Sequence, residues 1–300
     1  MAARVWAAPA TDGLLFHNDS VSLCLLVNRH AGTIRVFDFR AGASASKRTF
    51  VLSTARREAI ERLFIVVERE EVGTWTRLGL AREGAIPGFY KRSDGFVLGA
   101  ALEPAAPVAH GRGPHAAACL APDLDLAERT LNKAKSHAKR HTSDPAPVAF
   151  RLQDAQEADA RRAVWTATRS GSALSSFEPF GRNCLRTFFS GNLRGNPLLW
   201  LSAEIQPCFD HAYIELLTGP KTDQEWPLYR NALMLAAGRL REREVISMFG
   251  FSPTDDVLLA SVFVAAGFRR TGVLARHLWS QAARKDAFLW TRKHTLPDEE

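Results

Sequence analysis

The sequence predicts a mixed α/β protein made of two tandem, similarly folded halves, the N-terminal one smaller. The main observation is a stretch that occurs twice. One copy runs from Gly79 through Arg82 and Gly84 to Leu98, the other from Gly267 through Arg270 and Gly272 to Trp290. In each, an apolar helix-like segment stops at a glycine, an arginine follows three residues later, and a second glycine two after that. A short apolar strand, a polar turn with an aspartate (Asp94, Asp286) and another apolar strand complete the copy. This reads as a helix ended by a left-handed glycine, then a hairpin. The second observation is that Leu63–Val67 and Val245–Phe249 read as buried strands feeding each helix, so the repeated unit is strand, helix, hairpin.

Taken in order, residues 14–40 alternate apolar and polar in three runs punctuated by Asn28 and Gly32, the pattern of an antiparallel meander. Ala55, Ala59 and Ile60 give a short helix over Ser53–Arg62. The first copy of the repeat closes an N-terminal domain over 1–103. Residues 103–123 are rich in Pro, Ala and Gly without periodicity, a linker; Asp123–His141 then forms a helix with a basic end (Lys133, Lys135, Lys139, Arg140). Linker and helix together span 104–146. That basic end suits either contact with an anionic surface or a solvated helix C-terminus.

The C-terminal domain, 147–300, opens with a strand over Val148–Leu152 and a helix from Asp154 to Thr168 with carboxylates in its first turn. A second helix fits Phe177–Ser190. Leu198–Glu204 and His211–Leu217 are strands, Thr218–Gln224 a loop, and Glu225–Arg243 a long helix. Ser252 then reads as the N-cap of a last helix, with Pro253 at its first position and Asp255 at its third.

Three hundred residues with 46% hydrophobic and 24% charged side chains are a globular composition, long enough for two cores. The first residues hold no continuous apolar core and the longest apolar run, Val257–Phe268, is too short to cross a bilayer, so a cytoplasmic protein without a membrane partner is expected. Cys24, Cys119, Cys184 and Cys208 have no metal or redox spacing and read as ordinary reduced thiols; the lone His211 and His277 are given no metal role. A net charge of +7 allows nucleic acid as a partner of the basic helix without requiring it.

The element order of the C-terminal half, with Ala265–Gly272 as a helix-to-strand signature and Val148–Ala155 as an opening strand, resembles the GNAT acetyltransferase fold. The chain over about 14–293 is similar to the β-lysine N-acetyltransferase group, on Gly84–Tyr90, Ile34–Phe39, Ser202–Glu204 and Phe288–Trp290. The resemblance implies an N-terminal degenerate GNAT-like half, a linker, and a C-terminal GNAT domain using acetyl-CoA. It implies Glu204 or Glu215 as general base, Tyr213 as a candidate acid beside Glu215, and a cofactor site at Leu216, Leu217, Thr218, Gly219 and Lys221. Such enzymes often place a tyrosine acid before the helix-ending glycine, where this sequence has Phe263.

The loop that should cradle the diphosphate departs from the pattern Gln/Arg-x-x-Gly-x-Gly/Ala. Thr218–Pro227 has one glycine, two prolines that donate no N–H, and two carboxylates at a helix start, where they compete with an anion for the dipole. In the N-terminal half, Ala41–Lys47 is too short to replace it. The sequence therefore predicts first a non-catalytic binding protein on a decayed scaffold without cofactor. Its cleft, lined by Trp165, Phe177, Phe180, Trp200 and Trp226, would hold a peptide. The alternative is an acyl-CoA-dependent N-acyltransferase acting on a small amine, amino acid or peptide. A homodimer is compatible with either.

Overall fold

Gly79 and Gly267 both adopt left-handed backbone, φ 98° and 82°, and each ends its helix as the repeat predicts. The computed structural model describes residues 11–102, 120–143, 145, 147–280 and 283–294. Most of the expected linker, Cys119 included, lies outside the described residues. Two compact units divide the chain: Met1–Arg82 with Val97–Ala121, and Glu83–Phe96 with Pro122–Glu300.

The first unit begins with the expected meander, β1 (Thr11–His17), β2 (Ser22–Asn28) and β3 (Thr33–Asp38), all antiparallel. The following helix α1 is Ala45–Arg57, not Ser53–Arg62. It starts early because the Ser44 hydroxyl caps Ser46 N and the fully buried Lys47 ammonium is held by Asp38 and the Arg40 carbonyl. A lysine so committed offers nothing to a phosphate. β4 (Arg62–Val67) lies parallel to β3, and α2 (Arg69–Arg77) follows. With β5 (Ala81–Ile86) and β6 (Gly95–Ala101), the strand order in this unit runs β1-β2-β3-β4-β6.

The segment Glu83–Phe96, the tip of the β5–β6 hairpin, belongs to the second unit. There α3 (Leu124–His141) is capped by Asp123, and β7 (Phe150–Ala155) and α4 (Glu157–Arg169) follow. Next come β8 (Leu185–Leu193), β9 (Asn196–Gln206) and β10 (His211–Leu216). The unit closes with α5 (Trp226–Glu242), β11 (Ser247–Pro253), α6 (Val257–Ala265), β12 (Arg269–Ser280) and β13 (Ala283–Lys293). The strand order is β5-β12-β13-β11-β10-β9-β8-β7, antiparallel throughout except for β10 beside β11. This mixed sheet and its helix order are those the GNAT resemblance implies, with two corrections.

The expected helix Phe177–Ser190 does not form. Phe177 and Asn183 take left-handed backbone (φ 54° and 55°), which breaks any helix there, and the chain enters β8 at Leu185. The last helix is capped by Asp256, whose carboxylate accepts from Leu259 N at 2.8 Å; Pro253 instead ends β11, paired with Ala287. At the second glycine of each repeat the backbones touch. Gly84 pairs with Gly272, and a Cβ on Gly272 would lie 2.5 Å from the Glu83 carbonyl oxygen.

One face of this sheet packs against α3, α5 and α6 around Trp226, Phe263, Phe288 and Trp290, a core formed by the apolar stripes of α3 and α5 and by α6, apolar except for Ser261. On the other face Ala160, Val164 and Ala167 of α4 meet Phe177, Phe188 and Leu217. Cys24, Cys184 and Cys208 are free thiols, and no described helix is long and apolar enough to cross a membrane.

Candidate active site

β10 and β11 pair over four residues, from His211 with Ser247 to Ile214 with Gly250. The next residue of β10 is Glu215. Strand alternation sends Ile214 and Leu216 to the core that holds α5, and Tyr213 and Glu215 to the opposite face. Glu204 stands across from Tyr213 on β9, and Arg186 across from Glu204 on β8. Three adjacent strands thus bring two carboxylates, a guanidinium and a phenol together in a nearly water-free layer, with Glu204 at 3% exposure and Glu215 at 8%.

The two carboxylates are satisfied differently. Glu204 accepts from Phe180 N at 3.0 Å and Gly181 N at 2.5 Å, and pairs directly with the Arg186 guanidinium. It is the anchor of the loop that replaces the expected helix. Glu215 accepts from Ser175 Oγ at 2.5 Å and Ser202 Oγ at 3.1 Å, with Arg186 more distant at 3.8 Å. Burial pushes the Glu215 carboxyl above the ordinary glutamate range, against the pull of Arg186 and Ser175. Burial, reinforced by the Glu215 charge, pushes the Tyr213 phenol well above its usual value, so it stays protonated. Burial works against the Arg186 charge, but Glu215 and Glu204 more than offset it and raise its pKa. A carboxylate at raised pKa beside a protonated phenol is the pairing that general acid–base chemistry uses.

Sequence reading found Glu204, Glu215 and Tyr213 but missed Arg186, Ser175 and Ser202. Arg186 was legible only as a strand residue, through the alternation Arg186, Phe188, Ser190, and it fell inside the expected helix. The aromatic set is divided. Phe177 and Trp200 share the cluster under α4, and Phe180 lies 4.7 Å from Tyr213 between ring centroids. Trp165 is exposed on α4 with Arg169 over its ring at 4.5 Å. Trp226, fully buried on the other face, donates through Nε1 to Ser261 Oγ at 2.7 Å and lines no cleft. His211 bonds the Phe89 carbonyl at 2.8 Å and stacks on the Phe89 ring.

Leu216 and Leu217 continue β10 into the loop expected to hold acetyl-CoA, and Leu217 is tied to Trp200 O and Leu174 N. A diphosphate needs free, convergent N–H groups. Here Lys221 N already donates to Glu225 Oε2 at 2.7 Å, Glu225 N and Trp226 N go to Thr222 O, and Pro220 has no N–H. Gly219, the one glycine, faces Asp256, whose Oδ2 would lie 3.2 Å from an added Cβ. Burial raises the Asp256 carboxyl pKa, partly countered by its bond to Leu259 N. The Thr218 hydroxyl is bonded to Tyr229 OH at 2.7 Å, and burial pushes that phenol up to about 12. Three of the loop's amides, those of Lys221, Glu225 and Trp226, are thus engaged within the protein, Pro220 has none to offer, and Asp256 and Glu225 make the surroundings acidic.

Several solved structures are similar to this chain. A spermidine N-acetyltransferase from Vibrio cholerae, in complex with CoA and spermine, shares 12% identity at a TM-score of 0.41, covering 49% of this chain and 96% of its own. The ribosomal-protein-S5-alanine acetyltransferase from Vibrio fischeri shares 12% at 0.40, covering 49% and 94%. The ribosomal-protein-S18-alanine N-acetyltransferase from Escherichia coli shares 13% at 0.38, covering 49% and 95%. No protein-family model matches the sequence, and no curated protein does. Likeness at this level says nothing of what the chain binds or makes.

Proposed function

We propose that the second unit is an N-acyltransferase that acts on an amine, with Glu215 as the group that takes the proton from the attacking nitrogen. The observation that carries this reading is the buried Glu215 carboxylate, its pKa raised, set at the point where β10 and β11 cease to pair. The amine loses its proton to Glu215 as it attacks the acyl carbonyl, and Tyr213 is the protonated group beside it that can give a proton to the departing thiolate, which leaves as the free thiol. Glu204 and Arg186 position these two rather than react. Thr218–Glu225 takes no part in this step: Lys221 N is already held by Glu225, and Pro220 has no N–H. The acyl donor is a thioester whose recognition does not depend on that loop. Small amines, amino acids and peptide amines are the acceptor classes this site would admit.

Release of free thiol from acetyl and longer acyl thioesters, measured with a panel of such amines, tests the reading. Turnover that rises with pH through a value above the ordinary glutamate range, and that Glu215→Gln removes, supports it. Turnover retained in Glu215→Gln would sink the assignment of the base.

A second reading is favoured by one contact, the Glu225 carboxylate on Lys221 N, which puts the protein's own anion where a cofactor's would go. On that reading the unit binds a peptide or amine without acyl transfer. Calorimetric titration with acetyl-CoA and with free CoA separates the two. Micromolar binding means that Glu225 releases Lys221 N to a phosphate and speaks for transfer. No heat at millimolar CoA, together with no turnover on any thioester, leaves the binding reading.

A further inference from the structure

On the face of the sheet opposite Glu215, the C-terminal end of α3 meets the loop before α5. His137 and His141 are four residues apart, so they stand one above the other on one face of the helix, ring centroids 4.4 Å apart. Asp223 of the loop brings a carboxylate oxygen to 3.1 Å from His137 Nε2. One ligand atom from each of the three lies within 4.8 Å of the other two. His137 is buried, His141 half-buried and Asp223 exposed.

Proton bookkeeping makes this cluster unusual. Ser261 Oγ has one hydrogen, and its shorter acceptor contact is 2.7 Å to the Leu258 carbonyl. The same oxygen receives Trp226 Nε1–H at 2.7 Å. His137 Nδ1, 3.1 Å away, then serves as a donor to Ser261 Oγ. A neutral ring with its proton on Nδ1 keeps a lone pair on Nε2, and that lone pair faces Asp223, itself an acceptor. On this tautomer the two acceptors at 3.1 Å need a cation between them, either a proton on Nε2 or a metal ion.

We propose that His137 Nε2, His141 and Asp223 form a binding site for a divalent transition metal of the zinc class, which staples α3 to the loop Thr218–Glu225. Two imidazoles and one carboxylate are a donor set that zinc takes, with the fourth position left to water or an exogenous anion. In a tetrahedral zinc site neighbouring ligand atoms are separated by about 3.3 Å, close to the His137–Asp223 distance of 3.1 Å. The Nδ1–H bond to Ser261, which Trp226 and Leu258 hold in place, is the outer-shell contact that fixes the tautomer and ring plane of a metal-bound histidine. A cavity of about 440 Å³ adjoins the cluster, lined by Asn132, Lys133, Ser136, His137, Arg140 and Val257. Its two cations suit an anion at the open position.

The test uses the full chain without an affinity tag, stripped with chelator and titrated with Zn2+ alone and with Co2+ as a visible-absorbing probe. The expected result is one equivalent of metal, the intense visible bands of tetrahedral Co2+, and a thermal midpoint raised by Zn2+ and lowered again by chelator. His141→Ala, at a half-buried position, and Asp223→Asn, at an exposed one, should each weaken binding by about tenfold or more while the apo protein keeps its fold. No uptake at about 100 µM Zn2+ would overturn the proposal and leave an imidazolium–carboxylate pair in its place. Equal affinity in His141→Ala and the parent would overturn it as well.

Discussion

Glu204 and Glu215 occupy neighbouring strands, face the same way, and share Arg186, yet they are met by different donors. Glu204 accepts from two backbone N–H groups and pairs with the guanidinium. Glu215 has two hydroxyls and a more distant guanidinium, and its burial is not fully compensated. Two carboxylates buried alike can thus be met by different donors: fixed amides can only donate, whereas hydroxyls can serve either protonation state of a carboxyl.

The difference can be broken or sharpened by substitution. Arg186→Met removes the cation from both and leaves two buried carboxylates without it. Loss of about 3–5 kcal/mol of unfolding free energy is expected, read from urea denaturation. Glu204→Gln puts an amide where two N–H groups and an arginine point. About 2–3 kcal/mol should go, with the loop Phe177–Cys184 becoming protease-sensitive. Glu215→Gln should cost least, within about 1 kcal/mol at neutral pH, because a neutral side chain relieves the burial that raises its pKa.

The pH dependence of that last variant carries a sign. A carboxyl whose folded-state pKa is raised contributes stability that is fully present below its unfolded pKa and is lost as pH rises through the folded value. The parent should therefore lose stability relative to Glu215→Gln as pH climbs from the ordinary glutamate range through the raised one. Thermal midpoints of the two proteins that stay parallel across that range would show that Glu215 ionises normally.

Much of this fold was legible because it rests on residues with a single physical use. Glycine at 79 and 267 could be read as helix ends, since few other residues accept that backbone. The two positions of the loop Thr218–Pro227 that lack an N–H, Pro220 and Pro227, could likewise be read off directly. Phe177–Ser190 was not legible. Its apolar residues have helical spacing, but the segment follows Glu204, a residue more than twenty positions away, and tertiary demand overrode local pattern. The misplaced cap at Ser252 is a milder case: Ser and Asp both cap helices, and only the pairing of Pro253 with Ala287 tells which one does. Glu225 closing on Lys221 N, and Asp223 meeting His137, depend on how the loop curls, which spacing does not encode.

The contact of Gly84 with Gly272 has a consequence for how this chain can change. Most tight packing can be relieved from either side, a bulkier residue here balanced by a smaller one there. Where two glycines abut, each is already the smallest residue available, so no second-site shrinkage can rescue an alanine at either position. The two repeats are thus mutually constrained at one point, and drift in one copy must stop at the residue the other copy touches.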